Sequence, residues 1–453
     1  MSSVALRKRV LRVVFISLVL DLISFTFILP LFPSLLSFYM KQDPSSSSLL
    51  NRIFHYVNAY KNSFAKPIDS RYDVVLLGGA LGSLFSLLQA IAAPIIGRSS
   101  DKYGRRTALL WSLAGNILSV ALWVAATDFR TFLASRIVGG LSEANVQLAN
   151  AIATDISDES QRGATMAMVG ACFSIAFTVG PALGAALSNI EIVSANPFAT
   201  AAGFSFFLIV LETVYVYFCL PETHPNRVVD RESGAASGKL KENQTGDKPV
   251  TLTLPKHTNS PALLSFTHLI FLLPFSGMEF SLPFLTATLY TDSTINPAAL
   301  NGRILAVMGV IASVLQGAVI RRLSPLLTVR IGVVSSALSF FFLSSISSAS
   351  GLYVAACFLA VTNATVVNGL NSLISFEAGE NERGAVLGRH RSWGQVGRAA
   401  GPIIFCSLFW WVGREVAYTT GGLVMLGVCA ITFTALRSPS VENPPKMGRV
   451  TTS

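Results

Sequence analysis

"GRSSDKYGRR" (Gly97–Arg106) decides how this chain is read, because of what stands on either side of it. Apolar runs occupy 73–97 before it and 107–127 after it, each close to the ~20 residues a helix needs to cross a bilayer. Between them the stretch must reverse the chain, and its glycines permit a tight turn. Asp101 is suited to cap orphan amide groups or to pair with a basic neighbour. Arg98, Lys102, Arg105 and Arg106 mark this side of the hairpin as the positively charged one.

The same pattern recurs along all 453 residues, of which 51% are apolar and only 13% charged. Apolar runs lie at 10–36, 73–97, 107–127, 131–155, 163–188, 198–220, 263–290, 300–320, 326–347, 351–376, 384–412 and 416–436. They predict an all-α membrane protein of twelve transmembrane helices. The net charge of +10 does not signal nucleic acid. With the N-terminus cytosolic, 22 of the 34 Lys and Arg fall on the cytosolic side and 7 on the other. The rest, Arg136, Arg303, Arg389, Arg391 and Arg398, lie in or beside spans. The positive-inside rule then puts both termini in the cytosol, with the plasma membrane or an endomembrane as the location. Cys172, Cys219, Cys357, Cys406 and Cys429 all fall within spans and read as small apolar packers. The first apolar run is too long for a cleavable signal peptide and carries Asp21 and Pro30. With no metal cluster, nucleophile elbow or phosphate loop in the sequence, no enzyme activity, cofactor or metal is expected.

Residues 222–262 are polar and aperiodic and read as a cytosolic linker. They separate two six-span halves, 1–221 and 263–437, with 438–453 as a cytosolic tail. "RGA" at Arg162–Ala164 precedes Gly180 and Pro181, and "RGA" at Arg383–Ala385 precedes Gly401 and Pro402 at the same spacing. "GSLFSLLQ" (Gly82–Gln89) and "GVIASVLQ" (Gly309–Gln316) also match in register. A duplicated six-span unit is transporter architecture, with the site between the repeats. On the opposite side, "LLNRIFHYVNAY" (Leu49–Tyr60) has Leu50, Ile53, Phe54 and Val57 at helical spacing and predicts a surface helix that covers the outer face. "NQT" (Asn243–Thr245) has the form of a glycosylation sequon, but a cytosolic linker would not be modified.

Charged residues inside spans are expensive and mark function by default. Asp21, near the middle of span one, is a candidate proton carrier. Arg136, Glu143, Gln147, Asn150 and Thr154 fall within about 60° of one face of span four, so that face meets protein or water. Glu279 sits in "LPFSGMEFSLP" (Leu273–Pro283), where Pro274, Gly277 and Pro283 predict a broken seventh span and the acid needs a partner. Asn363, Asn368 and Asn371 read as interhelical glue, and Glu212 is open to either reading. In "GRHRSWGQVGRAAGP" (Gly388–Pro402), Arg391 and Arg398 share one face about 10 Å apart along the axis, with Gln395 beside them. Arg389 and His390 point elsewhere and play supporting roles. The repeat gives Gly170 and Phe177 where the second half has Arg391 and Arg398, so the scaffold does not require these charges.

Gly-xxx-Asp-xx-Gly-Arg-Arg between two spans resembles the signature of the major facilitator superfamily. "LDLISFTFILPLFP" (Leu20–Pro33) resembles the first span of tetracycline/proton antiporters, "SRIVGG" (Ser135–Gly140) their fourth-span motif, and "FTVGPALGA" (Phe177–Ala185) the Gly-Pro antiporter motif. "LPET" (Leu220–Thr223) is also typical. "SRYDVVLLGGALGSLFSLLQ" and "RSWGQVGRAAGP" are most similar to the eukaryotic tetracycline-transporter-like branch, associated with organic anion transport. The resemblance spans nearly the whole chain. Its clear departure is "IRRLSPLLTVR" between spans eight and nine, which lacks the acid and glycines of the signature, so any latch there is differently built.

The resemblance implies the major facilitator fold, alternating access, and a monomer moving an organic anion or drug-like solute by proton antiport. It assigns Gly97, Asp101, Gly104, Arg105, Arg106, Gly180, Pro181, Gly401 and Pro402 to the conformational machinery. Arg391, Arg398, Glu279, Gln395, Gln147 and Asn150 are then the substrate-binding candidates, and Asp21, Arg136 and Glu143 the proton-coupling ones. Two alternatives stay open: a symporter of a neutral metabolite such as a sugar, and a transport-dead receptor or scaffold.

Overall fold

A computed structural model describes residues 3–28, 31–42, 48–64, 73–188, 190, 196–225, 258–289 and 297–439. Pro30, the sequon at 243–245, most of the linker and most of the tail lie outside the described residues. The first half contains α1 (Ser3–Thr26), α2 (Phe32–Gln42), α3 (Leu49–Asn62), α4 (Asp73–Tyr103), α5 (Arg105–Val124), α6 (Phe129–Ser142), α7 (Asn145–Asp155), α8 (Glu159–Ser188) and α9 (Ala199–Cys219). The second contains α10 (Pro261–Leu289), α11 (Pro297–Val314), α12 (Pro325–Ser344), α13 (Ala349–Phe376), α14 (Arg383–Val412) and α15 (Arg414–Thr434).

Nine of these helices, among the described residues, are long and apolar enough to cross a membrane. Three further apolar runs fall short for legible reasons. The helix α1 carries Arg7, Lys8, Arg9, Arg12 and Asp21, span four is divided into α6 and α7, and α14 holds its arginines.

The turn at 97–106 is tighter than the sequence suggests. The helix α4 runs on to Tyr103 and α5 begins at Arg105, so Gly104 alone makes the reversal, at φ +99°, where a side chain would be strained. Glu222 of "LPET" then accepts from the Arg105 amide (2.7 Å) and the Arg106 amide (3.2 Å), capping α5 from the end of α9.

The two halves meet along two seams, α4 against α14 and α8 against α11 and α13. Glycines set the closeness of the first. A methyl group on Gly97 would strike the backbone of Gly384 and Gly388, and one on Gly388 would strike Ala93. Gly97→Ala is therefore expected to lower stability by about 1–3 kcal/mol, the usual cost of overpacking. A melting temperature in detergent equal to the parent's would contradict that packing. Gly180 and Gly401 play matched parts, the first against Thr26 and Ile23 of α1, the second against Leu273 and Ser276 of α10.

Proline leaves a carbonyl free one turn earlier, and here neighbouring helices use it. Pro94 frees the Ala90 carbonyl, which accepts from Ser392 of α14 at 2.6 Å. Pro402 frees that of Arg398, which accepts from Ser276 of α10 at 3.4 Å. The break expected in span seven is absent: α10 is continuous from Pro261 to Leu289. Its Gly277 rests on Gly401 and Phe405 of α14, and this close contact keeps the helix on course past its prolines.

The helix breaks instead in span four, at Glu143 and Ala144, where α5 supplies the replacement bonds. Ser112 donates to the Ser142 carbonyl (2.6 Å) and accepts from the Ala144 amide (3.1 Å). Asn116 donates to Glu143 (2.9 Å).

The surface helix α3 straddles both halves. Its Leu50 and Phe54 join the outer apolar core of the first half, whereas Val57 and Tyr60 pack on the core of the second. Tyr60 meets the Ser407 hydroxyl of α14 at 2.9 Å, and Lys61 pairs with Asp73.

Candidate transport site

The break in span four turns Glu143 inward beside Asp21. Asp21 is 1% exposed and accepts from Asn145 at 2.8 Å, while the Asn145 side-chain oxygen accepts from Ser112 at 2.7 Å. Arg391 of α14 lies within electrostatic reach of both Glu143 and Asp21 from across the interface. Arg136, from α6, is held differently: its guanidinium lies over the rings of Phe132 (5.5 Å) and Trp123 (5.8 Å) and donates to Ser135 at 2.9 Å. Asp21, Asn116, Trp123, Arg136 and Glu143 line a polar cavity of about 30 Å³ within the first half.

A second group forms in the other half. Glu279 of α10 lies in reach of Asn363 of α13 and of Arg398. Arg398 is exposed although it sits midway along α14, so space remains beside this face of the helix. The two arginines thus serve different acids, Arg391 the Asp21–Glu143 group and Arg398 Glu279. Gln395, between them, is buried. Gln147 is committed to packing, donating to the Ala93 carbonyl of α4 at 2.9 Å, and Asn150 is buried in α7. Arg389 is exposed, and the buried His390 stacks on His268 of α10 with ring centroids 4.4 Å apart.

At the end of the bundle carrying the 97–106 turn, the basic end, charges fasten the first seam. Asp101 accepts from the Gly384 amide (2.9 Å) and the Ala385 amide (2.7 Å), capping α14 from the other half of the protein. It also pairs with Arg105 at 2.6 Å. Asp155, at the end of α7, is fully buried and bridges Arg105 (2.8 Å) to Arg383 (3.0 Å). Burial, and then the Arg105 guanidinium, hold nearby His224 below its ordinary value. Among the described residues, no carboxylate bridges the second seam in this way. The start of α8 instead lays Gly163 against Leu323 and Pro325, and Arg162 donates to the Ser375 carbonyl at 3.2 Å.

Sequence reasoning did not single out Asn116, Asn145, Asp155 or Arg383. The "RGA" repeat marked the neighbourhood of Arg383, and an acid at the end of the 131–155 run is the signal that could have marked Asp155. Neither signal says that the two side chains meet.

A helical bundle of two halves, closed at one end by charge and with charged groups between the halves, is the architecture of a secondary transporter. The chain belongs to the Major Facilitator Superfamily, whose sequence profile matches residues 14–402, and is therefore a multi-pass membrane transporter rather than an enzyme. It is 32% identical over 440 residues to major facilitator superfamily domain-containing protein 10 of Mus musculus, covering 93% of this chain and 92% of that one. It is 26% identical over 363 residues to the class E tetracycline resistance protein of Escherichia coli, covering 79% and 84%. The crystal structure of the human organic anion transporter MFSD10 (TETRAN) superposes with a TM-score of 0.80 at 30% identity, covering 94% of this chain and 99% of that one.

Proposed function

We propose that the protein moves a small organic anion, or a drug-like solute bearing an anionic group, by proton-coupled antiport with alternating access. The observation that carries this reading is the presence of two arginines on one interior face of α14, Arg391 and Arg398, each facing an acid rather than locked to it. A solute carboxylate fits between two guanidiniums about 10 Å apart along one helix. It would compete with Glu143 and Glu279 for them, and Gln395 is placed to orient it. Asp21 and Glu143 then carry protons, with Arg136 balancing their charge, and Gln147 and Asn150 support the wall of the site.

In this reading residues 1–221 and 263–437 are the two moving six-helix halves, joined by the 222–262 linker and followed by the 438–453 tail. Both termini are cytosolic, so the basic end is the cytosolic gate, and the protein acts as a monomer. Likeness to an organic anion transporter and to tetracycline resistance proteins supports the solute class and the antiport.

The test is flux in proteoliposomes against a panel of organic anions, organic cations and sugars, under an imposed pH gradient of either sign. Anion uptake driven by a gradient that draws protons outward is the expected result. Uptake only of sugars, uptake driven by protons moving with the solute, or binding without flux would each overturn it.

A further inference from the structure

One buried acid is left over by this site. Glu212 lies in the middle of α9, 0% exposed, on a helix otherwise built almost wholly of apolar and aromatic residues. Its Oε1 accepts from the Ser17 hydroxyl at 2.6 Å, and its Oε2 has no partner. Ser17, Asp21 and Ser24 follow at steps of four and three, so they line one face of α1. That face lies along α9: two turns from Glu212, Ser24 and Ser205 meet at 2.6 Å. A polar seam therefore runs between two apolar helices, with Asp21 midway along it and its own Oδ2 unpartnered.

The surroundings of the seam differ at its two ends. Beside Asp21 and Ser205 is the polar cavity of about 30 Å³, roomy enough for water. Beside Ser17, toward the basic end, the space is about 10 Å³, room for about one water, with Ser17 and Asn145 its polar walls and Val13, Val14, Leu109 and Val216 among the apolar ones. The charged groups that reach Glu212 are both acids, Asp21 from α1 and Glu143 from the end of α6. From α5, Ser112 is bonded to Asn145 and Asn116 to Glu143, and from α8 the Cys172 thiol lies 3.5 Å from the Met168 carbonyl and 3.8 Å from that of Phe15. Arg391 is directed to Glu143 and Asp21, and Arg9 and Arg12 lie by Tyr215. A carboxyl kept in such a place, where an amide would satisfy the same serine, calls for a role.

We propose that Glu212 is a second proton-carrying carboxyl, exchanging a proton with Asp21 through the Ser17 hydroxyl. A water between Ser17 and the free Asp21 Oδ2 takes the Asp21 proton and gives one of its own to the Ser17 oxygen, as Ser17 passes its proton to the Glu212 carboxylate. Only O–H bonds form and break, and the charge of the seam is unchanged. Ser17 lies about 6 Å from Asp21 along α1, nearer the basic end, so the transfer takes the proton out of reach of Arg391. When a solute draws Arg391 away, the proton returns to Asp21.

This inference rests on the proton-coupled reading, and its test separates the two. Glu212→Gln keeps the size and the hydrogen bond to Ser17. In proteoliposomes it should retain solute counterflow without a pH gradient and lose gradient-driven accumulation by about tenfold or more, the scale of a coupling free energy. Ser17→Ala should slow gradient-driven uptake while sparing counterflow. Infrared pH-difference spectra of the full chain in lipid, with no solute added, should lose one protonated-carboxyl band in Glu212→Gln. An unchanged spectrum overturns the role of Glu212 even if no transported solute is found. Wild-type accumulation by Glu212→Gln, or accumulation driven by sodium in place of protons, overturns it as well.

Discussion

Asp155→Asn will open the basic end and lower the melting temperature. Asp155 is fully buried and bridges Arg105, itself fully buried, to Arg383, also buried. The amide leaves two guanidiniums without their shared counter-ion, and breaking a buried pair in this way costs about 3–5 kcal/mol. Because Arg105 and Arg383 stand in different halves, most of that loss falls on the closed arrangement of the basic end. A reporter cysteine at Ala385, labelled by a membrane-impermeant maleimide, should react faster in Asp155→Asn than in the parent background. Asp101→Asn removes the anionic cap of α14 and should act in the same direction with a smaller effect, since Asp101 is partly exposed. Equal labelling in parent and both variants would show that these charges do not hold the gate.

Arg391→Gln will abolish uptake while leaving expression intact. Arg391 interacts electrostatically with Asp21 and Glu143 from the other half and, in the proposed reading, is the cation that a solute carboxylate competes for. Losing a charge-assisted hydrogen bond of about 1.5–3 kcal/mol predicts a fall of about a hundredfold in uptake efficiency. Arg391→Lys should restore little, because an ammonium does not offer the planar two-pronged contact of a guanidinium. Arg398→Gln should act more on apparent solute affinity than on maximal rate, since Arg398 is exposed and retains access to Glu279. Uptake in Arg391→Gln at the parent level would remove α14 from the transport site.

Much of the fold was legible because apolar length alone marks a membrane helix, and a repeated Gly-Pro register marks a duplicated unit. The positions of Gly180 and Gly401 against α1 and α10 follow from that repeat. Where a helix breaks was not legible, since the decision lies in the neighbouring helix. Prolines left α10 intact, whereas the prolineless stretch at Glu143 opened because Ser112 and Asn116 of α5 stood ready to take up its backbone and side-chain bonds. The acids and bases of the site were visible as misplaced charges, but their pairing was not. Arg391 and Arg398 share a face and still answer to different acids, and Asp155 meets Arg383 from 228 residues away. Such pairings depend on how the halves dock, which no local pattern encodes.

The unequal fastening of the two seams bears on how the gate swings. A lid bolted along one edge and only rested on the other does not lift evenly; it turns. The α8 seam is held without an ion pair between the described residues of its two sides, by Arg162 to a carbonyl and Ser174 to Gln316 at 2.6 Å, contacts that can slide more easily than a buried pair of opposite charges. Movement should begin there and pivot about the bolted α4–α14 edge until the carboxylates let go. Spin-label distances between α8 and α13 should therefore widen before those between α4 and α14 as solute is added. High salt should change this order little, because the bolts are buried and are screened far less than exposed charges.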